Sequence, residues 1–331
     1  MPAAYKRLVE AARRDLAAES FLPATSHTQQ LHKRKRPKLG MNSLAYHVVV
    51  HALEGRAGWT PISRFASTVA HIIDGHLPYH RYNAAGRARA AEGMTEGQIE
   101  SSIREFLFTD LAPGVGTISR LTTPATVIAG FNAYNASAGI AVRTNVSMSS
   151  EGESAPVVAQ RKMLVRAPDP GPCRAGTLVM FEGLLSFVGR NAKLAAPPRA
   201  DLGTVAELLG VRGSAAAEAA WIFEREGSMP VPELARKLGC HQRSLERKLR
   251  AEGLTAEALR QAARMLRAAD RLGSDDSLTT IAVETGFSDL SHMTRSFKTS
   301  AGMQPSALRK LLWDDAAARA AAMPNAGRPQ A

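Results

Sequence analysis

Leu234-Ala235-Arg236-Lys237-Leu238-Gly239 and Ile281-Ala282-Val283-Glu284-Thr285-Gly286 are two versions of one short pattern: an aliphatic residue, an alanine, and a closing glycine five positions after the aliphatic. Glycine tolerates positive φ, so it ends a helix and lets a second helix leave at a steep angle, as a helix-turn-helix requires. After Gly239 the next apolar residues at helical spacing are Leu245 and Leu249, and after Gly286 they are Met293 and Phe297. A spacing of four puts each pair on one helix face. The first anchor follows its glycine by six positions in one copy and seven in the other, which predicts a turn one residue longer in the second. Arg247 and Arg295 each stand two residues past the anchor, on the side the anchor turns away from the core.

The residues between the copies complete the expectation. Thr255 to Leu272 holds neither glycine nor proline, and Leu259, Ala262, Leu266 and Ala269 make an apolar stripe at helical spacing. About eighteen residues at 1.5 Å each give a linking helix of roughly 27 Å, enough to hold two reading heads about one DNA turn apart. The whole of 201–312 reads as helical.

Upstream the signals mix. Ile99 to Phe108 has helical spacing, whereas Thr126 to Phe131, Gly139 to Ser147, Pro156 to Val165 and Thr177 to Phe181 are rich in Val, Ile and Thr and read as strands. The fold class expected is therefore α+β: a mixed α/β N-terminal regulatory domain, then an all-α C-terminal domain with two helix-turn-helix units joined by a linking helix. The boundaries are 1–40 for a flexible basic arm, 41–200 for a regulatory or dimerisation domain, 201–312 for the double helix-turn-helix, and 313–331 for a disordered tail. Pro197 and Pro198, inside the stretch Ala195 to Ala200, mark the linker. Met41 opens a more ordinary globular sequence and offers an alternative start.

Charge and composition narrow the function classes. At 331 residues with 45% hydrophobic and 22% charged residues, the chain is long enough for two packed domains and is not of disordered composition. The net charge of +12 favours a polyanionic partner. Half of that excess lies in residues 1–40, which carry nine basic and three acidic side chains and the run Lys33-Arg34-Lys35-Arg36. Residues 201–312 are nearly balanced, with sixteen basic and fourteen acidic, so bulk charge alone does not mark the DNA module. Cys173 and Cys240, far apart and without a recognisable secretory leader, read as reduced thiols in a cytoplasmic protein. The most apolar stretch, Leu178 to Gly189, is too short for a bilayer, which takes about 20 residues, so no membrane partner is expected.

Ile281-Ala282-x-x-x-Gly286-Phe287-Ser288-Asp289-x-Ser291-His292-Met293-Thr294-Arg295-Ser296-Phe297-Lys298, continued by Gly302-x-x-Pro305-Ser306, resembles the AraC/XylS family signature. Leu234-Ala235 through Leu245-Glu246-Arg247-Lys248-Leu249-Arg250-Ala251-Glu252-Gly253 is similar to that family's first helix-turn-helix. The resemblance covers about a hundred residues. Met293 and Leu308 depart from the usual side chains but keep apolar bulk. What the resemblance implies is sequence-specific control of transcription through double-stranded DNA, commonly as an activator touching RNA polymerase. It places Gln242, Arg243, Glu246 and Arg247 of the first reading helix, and Ser291, His292 and Arg295 of the second, at base-facing positions. Those residue types suit the task, since arginine pairs with guanine, glutamine with adenine, and glutamate with cytosine. Lys248, Arg250 and Lys298 are expected on phosphates. Residues 41–200 would then sense a small-molecule effector or mediate homodimer formation.

The sequence also carries hints of two sharper chemistries. His71, His76 and His80, with His47 and His51 upstream, suggest a metal site, but Gly75 and Pro78 break the helix that would align the first three. No metal and no cofactor are assigned on sequence grounds. Pro172-Cys173-Arg174 resembles the Pro-Cys-His-Arg site of DNA alkyl transferases, some of which carry AraC-type domains; the activating histidine is missing. The reading is of a regulator without catalytic residues, with an alkyl transferase as the rival and a non-specific nucleoid-associated protein as a third reading.

Overall fold

A computed structural model describes residues 40–42, 44–54, 59–107, 109, 111–137, 141–148, 157–166, 169–194 and 201–322. The expected basic arm and the proline linker lie outside the described residues, the arm but for Gly40.

The N-terminal part is built from helices. Helix α1 (Leu44–Glu54) carries the run His47, Val48, Val49, Val50, His51, Ala52, Leu53, in which every residue is buried. Helix α2 (Pro61–Ile73) starts at a reciprocal cap: Thr60 Oγ1 accepts from the Ser63 N–H at 3.2 Å, and Ser63 Oγ accepts from the Thr60 N–H at 2.8 Å. Pro61 at the first position has no N–H to leave unpaired. Then follow α3 (Tyr79–Ala91), α4 (Glu96–Leu107), the short α5 (Pro113–Ile118), α6 (Pro124–Ser137) and α7 (Gly171–Asn191). Strands β1 (Gly40–Asn42) and β2 (His76–Pro78) pair antiparallel, as do β3 (Val142–Met148) and β4 (Val157–Met163), with Val142 opposite Met163 and Val146 opposite Ala159.

The expectation of a mixed α/β domain is corrected in two places. The stretches expected as strands at Gly139 to Ser147 and Pro156 to Val165 contain β3 and β4, but Thr126 to Phe131 lies in α6 and Thr177 to Phe181 in α7. The reason is that α6 shows alanines on its exposed face and α7 is buried nearly throughout. In α6, Thr126, Val127, Ile128, Gly130, Phe131, Tyr134 and Asn135 are buried while the outward positions include Ala125, Ala129 and Ala136, so no polar face contrasts with the apolar one and the sequence looks like a buried strand. The chain is mostly helical with little sheet. The hairpin docks on α6 through amide side chains: Asn132 Nδ2 donates to Val146 O at 2.6 Å, Asn132 Oδ1 accepts from Val146 N at 2.9 Å, and Asn135 Oδ1 accepts from Thr144 N at 3.0 Å. Arg161 of β4 is buried and pairs with Asp169 at 2.6 Å, while its guanidinium also donates to Thr144, Thr177 and Tyr82.

Beyond residue 201 there are only helices among the described residues: α8 (Leu202–Leu208), α9 (Ala215–Glu226), α10 (Val231–Lys237), α11 (Gln242–Ala251), α12 (Ala256–Arg271), α13 (Leu278–Glu284), α14 (Leu290–Ala301) and α15 (Pro305–Ala322). The tail expected from 313 onward is corrected as far as Ala322, because α15 runs through it and its Asp315 is buried. Asp315 accepts from the backbone N–H groups of Thr122 and Thr123 and from the hydroxyls of Thr122 and Thr126, capping the start of α6. Residues 323–331 lie outside the described residues.

The buried side chains form one contiguous cluster from Val48 to Leu311. Helix α2 lies against α12 and α14, and α6 against α15. Ser300 Oγ on α14 donates to Ile72 O on α2 at 2.7 Å, and the Gly75 N–H donates to Thr299 O at 3.0 Å. Arg120 pairs with Asp270 at 3.0 Å. The two ends of the chain are thus joined by apolar packing and by buried polar contacts.

Candidate nucleic-acid interface

Each of the repeated segments folds as its glycine dictates. Helix α10 begins beside Pro230 and ends at Leu238, and Gly239 then takes φ of +62°; α13 ends at Thr285, and Gly286 takes φ of +92°. An L side chain is strained at such angles, which is why the closing residue is glycine both times. Leu234 and Ala235 in α10, and Ile281 and Ala282 in α13, are buried at 1% exposure or less, as are Leu245, Leu249, Met293 and Phe297 of the helices that follow. The two departures from the family pattern, Met293 and Leu308, are fully buried, so their apolar bulk fills the same kind of space.

The longer second turn has its own local device. Asp289 caps α14, its Oδ1 accepting from the His292 N–H at 2.6 Å. That bond, a second from the Ser288 hydroxyl, and the charge of Arg295 hold its carboxyl below the usual range. In the first turn His241 occupies the cap position without a side-chain bond. The linking helix α12 is capped by Thr255, whose Oγ1 accepts from the Ala258 N–H at 3.1 Å. Its Arg264 donates to Gly286 O at 3.1 Å and lies over the Phe287 ring at 4.5 Å, so α12 holds the second turn directly. On the other side Glu252, just past α11, accepts from the N–H groups of Ala215 and Ala216 and ties the end of α11 to the start of α9.

The sequence-predicted site residues lie on α11 and α14. Gln242, Arg243, Arg247, Lys248 and Arg250 are exposed on α11, and Glu246 is half-buried. Glu246 is engaged along its own helix, accepting from Gln242 Nε2 at 2.7 Å and facing Arg250 at 3.6 Å. Arg243 and Arg247 make no ion pair among the described residues, so neither has a partner to give up on meeting a phosphate or a base. On α14, Ser291, Arg295 and Lys298 are exposed. His292 is half-buried: its Nδ1 lies 3.1 Å from Ser288 Oγ and its ring stands edge-on to Phe287. Arg247 and Arg295 therefore occupy equivalent places, each two residues beyond a buried anchor and each in solvent.

Cys173, the residue of the rival enzymatic reading, is fully buried in α7. Its Sγ donates to Tyr82 O at 3.5 Å, and burial pushes the thiol up to about 12. A nucleophilic cysteine needs the opposite, exposure and a depressed pKa. Both cysteines are free thiols.

The histidines regroup. His76 and His80 are exposed, and His76 pairs with Asp74 at 2.7 Å, so the grouping of His71, His76 and His80 does not form. Instead His47 and His51 of α1 meet His71 of α2, with one ring nitrogen of each lying within 4.8 Å of the others. The four-residue step between His47 and His51 was the only sequence signal for this group; the third member comes from another helix. Burial above all lowers the three, His47 to about 3, His51 to about 4 and His71 well below the ordinary value, so they are uncharged at neutral pH.

A family model described as a helix-turn-helix domain matches residues 234–311, which carry a helix-turn-helix domain of AraC type. No curated protein and no solved structure matches the chain. No helix among the described residues is long and apolar enough to cross a membrane.

Proposed function

We propose that this chain, a DNA-binding transcription regulator by its AraC-type helix-turn-helix domain, reads two adjacent major-groove segments with α11 and α14. The observation that carries the reading is the equivalence of two glycine-hinged helix pairs, each presenting an exposed arginine two residues past a buried anchor. Between them α12, 16 residues long, spans roughly 24 Å at 1.5 Å per residue, a spacer of about two-thirds of the roughly 34 Å DNA turn, to which the widths of the flanking helices add.

In this reading Arg247 and Arg295 donate to guanine, Gln242 and Arg243 add base contacts at the start of α11, and Ser291 and His292 do so on α14. Glu246 faces cytosine once its contact with Gln242 opens. Lys248, Arg250 and Lys298 hold phosphates and fix register. The chain acts as an activator touching RNA polymerase, and residues 41–200 respond to an effector or join a second copy. A signal of that kind acts by favouring one arrangement of α2 against α12 and α14, because those contacts join the two parts. The enzymatic alternative finds no support in a cysteine that is buried and held as a thiol.

Selection of bound fragments from random DNA, followed by footprinting, tests the reading. The expected result is a preferred sequence with two protected segments about one helical turn apart. Binding that is indifferent to sequence would overturn it in favour of a nucleoid-type protein.

A further inference from the structure

The three histidines on α1 and α2 are not absorbed by DNA reading. His51 Nε2 lies 3.1 Å from His71 Nε2. A zinc ion bound to two imidazoles at 2.0–2.1 Å in a tetrahedron sets their nitrogens about 3.3 Å apart, so this pair already stands at ligand separation. The His47 ring lies over that of His71, with centroids 3.6 Å apart, and one nitrogen of His47 needs a shift on the order of 1 Å to close the set of three. Neither ring nitrogen of His47 has a hydrogen-bond partner, and neither does Nδ1 of His51, although all three atoms are buried. Buried polar atoms are normally paired, so the two unpartnered ring nitrogens of His47, beside the facing Nε2 atoms of His51 and His71, point to something that binds them.

The surroundings fit a metal. A cavity of about 20 Å³ adjoins the cluster, lined in part by His51, Trp59, Arg64, Ser67 and His71. That is room for one water-sized ligand beside His51 and His71, a place for a fourth ligand. Glu54 Oε2 stands 3.9 Å from His51 Nδ1, on the far side of the ring from its Nε2, beyond hydrogen-bond reach while its carboxylate is held by Arg81. Only nitrogen donors converge, which suits zinc, cobalt, nickel or copper and not the oxygen-seeking magnesium or calcium.

We propose that His47, His51 and His71 form a three-imidazole site for a divalent transition ion of the zinc class, with a water-sized fourth ligand. Its consequence for regulation rests on the DNA-binding reading above. The ion clamps α1 to α2, and α2 carries the contacts from Ile72 and Gly75 to Ser300 and Thr299 at the end of α14. Metal occupancy thereby biases the seating of the helix that bears Arg295.

The test uses the full chain stripped with a chelator. Equilibrium dialysis against Zn²⁺ is expected to return one ion per chain, and Co²⁺ to develop the visible absorption of a tetrahedral nitrogen site. His51→Gln and His71→Gln, checked for folding by circular dichroism, should each lower affinity by at least ~100-fold, since even outer-shell changes cost about 10–100-fold. His80→Gln, exposed and outside the cluster, should leave it unchanged. No stoichiometric uptake, or equal uptake by a folded His51→Gln/His71→Gln double variant, overturns the site. Should the variants fail to fold, the Co²⁺ spectrum of the unaltered chain decides: a tetrahedral spectrum supports the site, and an octahedral one overturns it. DNA affinity is then measured with and without Zn²⁺. A change of several-fold supports the clamp, whereas uptake with unchanged affinity overturns the clamp and leaves the site standing. Uptake by a chain that binds no DNA counts against the regulator reading and not against the site.

Discussion

Replacing Asp315 by alanine tests how the end of the chain is held. Its carboxylate is buried and accepts from Thr122 N at 2.9 Å and Thr123 N at 3.2 Å, as well as from the hydroxyls of Thr122 and Thr126. The Thr126 hydroxyl has another acceptor, Thr123 O at 3.0 Å, so the lasting damage falls on the two backbone N–H groups. An orphaned buried donor costs about 1–3 kcal/mol, giving about 2–6 for the pair, and about 3 after local relaxation. Asp315→Asn keeps one accepting oxygen and should cost about half as much. Urea unfolding followed by circular dichroism reads both as shifts of midpoint at constant slope. Deleting residues 313–331 removes the same carboxylate together with Trp313, which lies 5.2 Å from the buried Arg309, and should cost at least as much as the alanine variant. A deletion that leaves the midpoint unmoved, or an alanine variant losing less than about 1 kcal/mol, would refute the capping argument and restore a frayed tail.

Other expectations follow from the same coordinates. Arg247→Ala and Arg295→Ala should each weaken binding to the selected site by about 1–3 kcal/mol and relax base preference in one half only, read by footprinting and competition. Lys298→Ala should instead weaken all sequences alike and flatten the salt dependence of binding. Gly239→Ala and Gly286→Ala, at φ of +62° and +92°, should each destabilise by about 1–2 kcal/mol in urea, whereas Gly97→Ala, in α4 with no atom within 4 Å, should not. Glu224 is raised from its ordinary 4.5 to about 7 by burial foremost. Its folded form holds the proton more tightly, so its contribution is fully present below 4.5 and is lost as pH rises toward 7; Glu224→Gln should flatten that fall in the urea midpoint. Exposure of the folded chain to methylated DNA should leave the mass of Cys173 unchanged, since its thiol is buried.

What the amino-acid sequence determined by itself was the helical grammar of the C-terminal part, because its signals are local. A glycine that needs positive φ, anchors four residues apart and a proline-free linking helix each act within one or two turns of chain, and Gly239, Gly286, Leu245, Leu249, Met293 and Phe297 all stand where that grammar puts them. The N-terminal helices escaped the same reading where their outward faces carry no polar contrast or are covered. In α6 the exposed face is largely alanine and in α7 nearly every position is buried, so helix and buried strand look alike in sequence, and only the surrounding packing selects the helix. The histidine cluster was illegible for a different reason. His71 stands close in sequence to His76 and His80, but the chain turns extended at β2 and separates them, while the packing of α1 on α2 brings in His47 and His51. Likewise Asp315 reads as one acidic residue in an alanine-rich end until α6 is laid beside it. Local backbone chemistry is written in neighbouring residues; which distant side chains share a buried space is decided only when the helices close on one another.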